Sequence, residues 1–506
     1  MSASRSPLLA GAIALVLGLC LSLASGAPLF WFPLAFIAQL PLLWLYARSS
    51  RPFGWGFLAG AIFYLAHLFW LVQLQTDAPV PRWLLWVALV LLVAFQAAWW
   101  GLFALFVRWV GKRKSWFLAL AIPSAWTLLE YARVHMSELS FTWATAWMSA
   151  LGDQPLVASA AIWGPFGISW VILAVNVLVW RAAETRKLAP LYWAAGLVTV
   201  AHLVGFIPSR THQVGVLRVA LVQPNLLAEQ RDWPEMERIY RAQADSLRGH
   251  DLDLVILSES AFIGFYRYSA RAQKLARLIS RDSRAPVLFA TADARPGGPG
   301  DSVAYFNTAF LVDTGGLILD TYDKVKLVPF GERFPFAEHM PGFVKDLLEV
   351  VGNYSSTRPL RPLILGKVGL GVLICFESTF PDVARRHVQE GAQLLVNITN
   401  DGWYGPTLGP VEHFHMARFR AVEQGRYLVR VGKTGISAVI DRQGRIVTQI
   451  GLFKEGIAFA DVPLMEGRTP YAVAGDWPVI LSALITALAL GYTVLSRLNR
   501  AKEDNR

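Results

Sequence analysis

Three residues in the second half of the chain have types suited to nucleophilic chemistry. Cys375 is the one cysteine between residues 208 and 476, and it falls within the apolar run GVLICFE (371–377). A thiol at the end of a buried strand points into the crevice beyond the sheet, where α/β proteins bind ligands. The same position also suits an inert core cysteine. Glu259 closes a second such run, LDLVILSE (252–259). Its carboxylate is either a strand-end acid facing solvent or a general base with a raised pKa. Lys324 lies in YDKVKLVPFGERFP (322–335). It either pairs with Asp323 or Glu332 at the surface or supplies a fixed positive charge to a developing oxyanion. One site can be assembled from these three segments: thiol, carboxylate and ammonium.

The segments that must position them alternate in type. LRVALVQ (217–223), LDLVILSE, PVLFATA (286–292), GVLICFE and QLLVNIT (393–399) read as buried strands. Helical stretches are expected over 232–248, 268–283, 379–390 and 411–424, and antiparallel strands at 305–313, 436–441 and 445–450. Residues 208–476 therefore read as an α/β domain. His413 and His415 lie two apart on an expected helix and do not share a face, so they read as structural. With no CxxC, no HExxH and no paired Cys/His cluster, no metal site is expected. Two cysteines cannot make a disulfide framework, and Cys20, in an apolar run, reads as a small buried side chain.

Of the 506 residues, 54% are hydrophobic and 16% charged, against about 25% charged in a typical soluble protein. That composition, with 20 Trp and 29 Phe, argues against a disordered chain and a wholly soluble one. Apolar runs near 8–24, 28–47, 53–74, 84–107, 115–132, 156–180, 191–207 and 478–496 predict about eight transmembrane helices. The first, ending LASGA, also resembles a cleaved signal peptide, but it leads into a series of spans.

The net charge of +11 fits either a nucleic-acid binder or basic cytoplasmic loops. Its distribution decides between them. The termini and the connections after even-numbered spans hold 14 basic residues, Arg5, Arg48, Arg51, Arg108, Lys112, Arg113, Lys114, Arg181, Arg186, Lys187, Arg497, Arg500, Lys502 and Arg506. The short opposite loops hold Arg82 and Arg133. Both termini are therefore expected in the cytoplasm. Residues 208–476, with 31 basic and 29 acidic residues, are expected on the other side. Glu130 and Arg133, at the outer end of the fifth span, are expected to be near enough to the edge for solvation.

A Glu, a Lys and a Cys in this order, 65 and 51 residues apart, resemble the triad of the nitrilase superfamily. YDKVKLVPFGE resembles its lysine motif, ICFES (374–378) its cysteine motif and TNDGWYG (399–405) the segment after it. The spans around the domain, with TPYAVAGDWP (469–478) before the last, narrow the resemblance to the membrane-embedded apolipoprotein N-acyltransferase branch. That resemblance implies a membrane α-helical bundle carrying an α/β nitrilase-like αββα sandwich. It divides the chain into a seven-helix bundle (1–207), a periplasmic catalytic domain (208–476), and a last span with a cytoplasmic tail (477–506). It places the protein in a bacterial inner membrane with no cofactor; a monomer is the default expectation, and the charge distribution leaves no nucleic-acid partner expected. Its partners would be a phospholipid acyl donor and a diacylglyceryl apolipoprotein acceptor.

By matched position, Cys375 would be the nucleophile, Glu259 the general base and Lys324 the oxyanion stabiliser. Glu332 and Glu377 match two supporting carboxylates, Trp233 and Trp403 match tryptophans important for activity, and Asn307, in YFNTAF, matches a substrate-side asparagine. The chain departs from the family in LSES, where Trp-Pro often precedes the glutamate. It departs again at Lys433-Thr434, where Asn-Asn or Asn-Thr is common, and at Phe376, where Tyr is common.

The implied reaction moves an acyl chain from an ester to an amine through a thioester, which splits one hard step into two. The same triad serves a membrane-tethered amidohydrolase, with water as second nucleophile. A transporter or lipid-binding scaffold with an inactive domain is disfavoured by the intact triad. The absence of charges near the centre of most spans also disfavours it.

Overall fold

The computed structural model describes residues 7–26, 29–75, 81–111, 116–207, 210–227, 232–297, 303–336, 354–356 and 360–504. The chain forms two compact units. One comprises Met1–Val72, Pro81–Ile207 and Ala474–Arg506; the other comprises Gln73–Val80 and Pro208–Val473.

The first unit is helical. Five helices among the described residues are long and apolar enough to cross a membrane: Leu8–Ser25, Pro52–Gln73, Arg82–Val110, Ala160–Thr185 and Trp477–Ser496. The other three apolar runs are also helical, but in different forms. The second is broken into Phe32–Ala35 and Leu40–Arg48, with a proline in the first turn of each piece. Proline lacks the N–H that a helix interior needs, so it starts helices more readily than it continues them. The fifth, Trp116–Val134, carries Pro123 inside, and the seventh, Ala189–Gly205, has 17 residues. Residues 28 and 115, at the ends of two expected spans, lie outside the described residues, as do Arg5, Lys112, Arg113, Lys114 and Arg506.

Two expectations about this unit are corrected. Glu130 and Arg133 are not solvated; they are 3% and 2% exposed. The chain after their helix folds back through the turns Ser137–Leu139 and Ala146–Gly152 and supplies partners. Glu130 accepts from the Ala146 N–H (2.6 Å) and from Ser169 Oγ (2.5 Å). Arg133 Nη1 donates to the Trp143 carbonyl (2.9 Å) and to Gln96 Oε1 (3.3 Å). Cys20 is exposed rather than buried. An apolar helix face meant for lipid needs no protein cover, so an apolar run alone does not predict burial.

Among the described residues, the second unit is built on two six-stranded sheets. In chain order the strands are β1 (His212–Gln223), β2 (Leu254–Ile256), β3 (Val287–Arg295), β4 (Ala304–Val312), β5 (Ile318–Asp323), β6 (Leu363–Leu365), β7 (Val368–Ile374), β8 (Leu394–Thr399), β9 (Leu428–Gly432), β10 (Ser437–Ile440), β11 (Ile446–Ile450) and β12 (Gly456–Glu466). One sheet has the order β12-β1-β2-β3-β4-β5 and the other β11-β10-β9-β8-β7-β6. β1, β2 and β3 are parallel, as are β7, β8 and β9, and antiparallel strands extend each set on both sides.

Side chains alternate across a strand, and the sequence uses both faces. On β3, Leu288 and Ala290 join the core between the sheets, which also contains Leu254 and Ile256 of β2 and Val372 and Ile374 of β7. Val287 and Phe289 face the other way, onto Met236, Ile239, Leu275 and Ile279. Those four residues come from helices Trp233–Leu247 and Ala270–Ser283, capped by Asp232 and Ser269. Helices Pro381–Gln389 and Gly409–Gln424 pack beside β7 and β9 of the second sheet. The layers are α, β, β, α.

The five buried runs read from the sequence are β1, β2, β3, β7 and β8. The three antiparallel additions are β4, β10 and β11. β5, β6, β9 and β12 are further strands beyond those read from the sequence.

Candidate active site

Three strand ends meet at one place. Glu259 follows β2, Lys324 follows β5 and Cys375 follows β7; they are 5%, 1% and 8% exposed. Cys375 opens the turn Cys375–Thr379 with φ +50°, a left-handed conformation that costs a non-glycine residue about 1–3 kcal/mol. Ser260, directly after Glu259, is also left-handed, at φ +53°. The chain turns sharply at both points and leaves the preceding strand.

Lys324 binds two carboxylates. Its Nζ lies 2.8 Å from Glu332 Oε1 and 3.5 Å from Glu259 Oε1. Asn307, on β4, joins the same pair, its Nδ2 donating to Glu259 Oε1 (2.7 Å) and Glu332 Oε1 (3.0 Å). The Asn400 N–H donates to Glu259 Oε2 (2.9 Å) and the Val328 N–H to Glu332 Oε2 (2.9 Å). Burial opposes the Lys324 charge, but Glu332 and Glu259 outweigh it and raise its pKa, so the ammonium persists. Burial pushes the Cys375 thiol well above its ordinary value; Glu259 adds to the rise and Lys324 opposes it.

Glu377 does a different task. Its Oε1 accepts from the N–H groups of Val325 (2.6 Å) and Lys326 (3.2 Å), and its Oε2 from the Ile374 N–H (2.8 Å). Tyr322 Oη donates to the same carboxyl (3.0 Å to Oε1). One side chain thus ties the segment after Lys324 to the residue before Cys375. Burial raises its pKa to about 7, against the pull of those N–H groups and Lys324.

Not every residue singled out by resemblance joins this cluster. The Trp233 ring carries the Arg271 guanidinium 5.1 Å from its centre and packs on the helix side of the first sheet. Among the described contacts, none of Trp233's reaches the triad. Trp403 is 37% exposed in the turn Asp401–Tyr404, and its carbonyl accepts from the Gln75 N–H (2.8 Å). Phe376 stacks edge-on with Phe380 at 4.9 Å. Lys433 is buried and its Nζ donates to the carbonyl of Ser260 (3.0 Å). It thereby braces the left-handed joint beside Glu259.

Sequence reasoning did not bring together the groups behind Cys375. Asp401, His413 and Arg430 are fully buried and hydrogen-bonded together, and His413 Nε2 reaches the Cys375 carbonyl (3.1 Å). Asp401 stands inside TNDGWYG, so the motif was visible while its partners were not. Among the described residues, no group of three or more His, Cys, Asp or Glu has the geometry to hold a metal ion.

The family described as carbon-nitrogen hydrolase matches residues 218–469, and the apolipoprotein N-acyltransferase N-terminal domain matches residues 17–178. An apolipoprotein N-acyltransferase of Geobacter metallireducens is 33% identical over 481 residues, covering 90% of each chain. One from Gloeobacter violaceus is 34% identical over 515 residues, covering 96% of this chain and 95% of its own. Among solved structures, a carbon-nitrogen hydrolase from Helicobacter pylori aligns with a TM-score of 0.38 at 15% identity, over 55% of this chain and 94% of that one.

Proposed function

Because this chain belongs to the apolipoprotein N-acyltransferase family, we propose that it moves an acyl chain from a phospholipid to the α-amine of a diacylglyceryl-cysteine, by way of a thioester on Cys375. It is an acyltransferase of lipoprotein maturation. The reading of its steps is carried by one observation: a buried ammonium, Lys324, shared by Glu259 and Glu332 beside a buried thiol.

In the first half-reaction Glu259 takes the thiol proton, because the thiolate is the nucleophile. Sulfur attacks the ester carbonyl, and Lys324 stabilises the oxyanion of the tetrahedral intermediate. One such donor is worth about 3–4 kcal/mol. Glu259 returns the proton to the departing lysophospholipid oxygen. In the second half-reaction the acceptor amine attacks the thioester and gives a proton to Glu259. An amide forms and the thiol is regenerated. Glu332 and Glu377 hold the lysine segment in place, and Asn307 keeps Glu259 and Glu332 in register.

The proposed organisation is a seven-helix bundle (1–207), a periplasmic catalytic domain (208–476), and a final span with a cytoplasmic tail (477–506). Both termini lie on the cytoplasmic side of a bacterial inner membrane. The basic residues on one side of the spans support this orientation. Intact mass spectrometry of the purified protein, mixed first with phospholipid and then with a diacylated lipopeptide, tests the chemistry. An added acyl mass that disappears as N-acylated peptide forms is the expected result. Free fatty acid without that product would overturn the transferase reading in favour of a membrane-tethered hydrolase with water as second nucleophile.

A further inference from the structure

Behind the nucleophile, buried polar groups form a network separate from Glu259 and Lys324. At its centre is Asp401, 0% exposed. Its Oδ1 accepts from Thr399 Oγ1 (3.0 Å) and faces His413 Nδ1 (2.9 Å); its Oδ2 accepts from Arg430 Nη2 (2.7 Å). Burial opposes the Asp401 charge, but Arg430 and His413 outweigh it and hold the carboxyl at about 2. Arg430 also bonds Asn397 Oδ1, and Asn397 Nδ2 donates to the Leu373 carbonyl of β7 (2.8 Å).

Two arms of the network reach Cys375. Thr399 Oγ1, whose one proton goes to Asp401, lies beside the thiol. On the other side, Ser378 Oγ donates to the Cys375 carbonyl (2.9 Å), and His413 Nε2 lies 3.1 Å from both. The sulfur and the carbonyl of one residue are thus held from a single carboxylate.

We propose that Asp401 is a positioning residue for the acyl-transfer reaction, holding Cys375 in its left-handed conformation and aiming its sulfur through Thr399 and His413. A non-glycine residue at φ +50° persists only where its surroundings over-determine it. The Asp401 charge itself opposes the thiolate. Its place beside the nucleophile is therefore explained by geometry and not by activation. This inference rests on Cys375 as the nucleophile.

The test uses the full chain in detergent or lipid, with two readouts. One is the rate of acyl-enzyme formation from phospholipid by intact mass. The other is the pH midpoint of Cys375 alkylation, where Glu259, Lys324 and Asp401 are the charges facing the sulfur. Asp401→Asn removes an anion, so the alkylation midpoint moves to lower pH. Acyl-enzyme formation nevertheless slows about tenfold or more. Thr399→Val slows it as well, and Thr399→Ser, which keeps the hydroxyl, restores it. Unchanged acylation in both Asp401→Asn and Thr399→Val overturns the proposal, as does equal slowing in Thr399→Val and Thr399→Ser. If Asp401→Asn leaves Arg430 uncompensated and does not fold, the two Thr399 variants still decide. A Cys375→Ala control that becomes acylated refutes the nucleophile and not the brace.

Discussion

Asn307 and Glu332 meet through a single hydrogen bond of 3.0 Å, and the same Asn307 amide donates to Glu259 at 2.7 Å. Two carboxylates that would repel each other are thereby bridged by a neutral donor as well as by Lys324. Asn307→Asp replaces that donor with a third anion around one cation. Acyl-enzyme formation should fall by about tenfold or more, since a repelled Glu259 loses its alignment with the thiol. Stopped-time intact mass spectrometry with phospholipid measures it; a wild-type rate would show that the bridge is dispensable.

Lys324→Met leaves Glu259 and Glu332 buried with no cation between them. Breaking a buried pair of this kind typically costs about 3–5 kcal/mol. The variant should unfold at lower temperature and form no measurable acyl-enzyme. Lys324→Met with Glu332→Gln should recover part of the stability and none of the activity. Thermal unfolding in detergent, followed beside the acylation assay, separates the two effects. Equal stability of wild type and Lys324→Met would contradict the ion-pair account.

The thiol offers a pH test. Burial raises its pKa, and Lys324 opposes the rise. The thiolate is therefore scarce at neutral pH unless a base removes the proton during attack. Alkylation by a small neutral reagent, which lacks that help, should keep accelerating as pH rises through the ordinary cysteine value of about 8.5. A plateau near pH 7 would mean a preformed thiolate. Cys375→Ala should give neither alkylation nor acyl-enzyme at this position.

Glu377 makes stability pH-dependent. Its folded pKa is raised to about 7 by burial, whereas an unfolded-chain carboxyl titrates near about 4.3. The folded state therefore holds more protons between those values. Its contribution to stability is greatest below the lower value, declines as pH rises through the window, and is constant above about 7. Thermal unfolding measured from pH 4 to 8 should show this slope, and Glu377→Gln should flatten it. A slope unaltered by Glu377→Gln would assign the titration elsewhere.

What the sequence reveals depends on how local the signal is. Glu259, Lys324 and Cys375 each stand out because an ionisable or reactive group adjoins an apolar run. β5 gave no such signal, because its burial alternates irregularly along ILDTYD. β12 pairs along one edge of its sheet with many half-exposed residues, so no apolar run marks it. The break in the second apolar run follows from Pro33 and Pro41, but hydropathy averages over both. Asp401, His413 and Arg430 are separated by 12 and 17 residues, and only the stacking of β8, a helix and β9 brings them together. Glu130 and Arg133 lay near a span's end, and nothing local announced that residues 141 to 146 return to cover them.

The triad is split between the two sheets. Glu259 and Lys324 extend from one, and Cys375 extends from the other. Neither half can act alone. Without the other sheet, the thiol would lack its proposed proton acceptor and the ammonium its proposed nucleophile. In the proposed reaction the ester bonds attacked are those of the surrounding bilayer, so that chemistry requires both sheets in place.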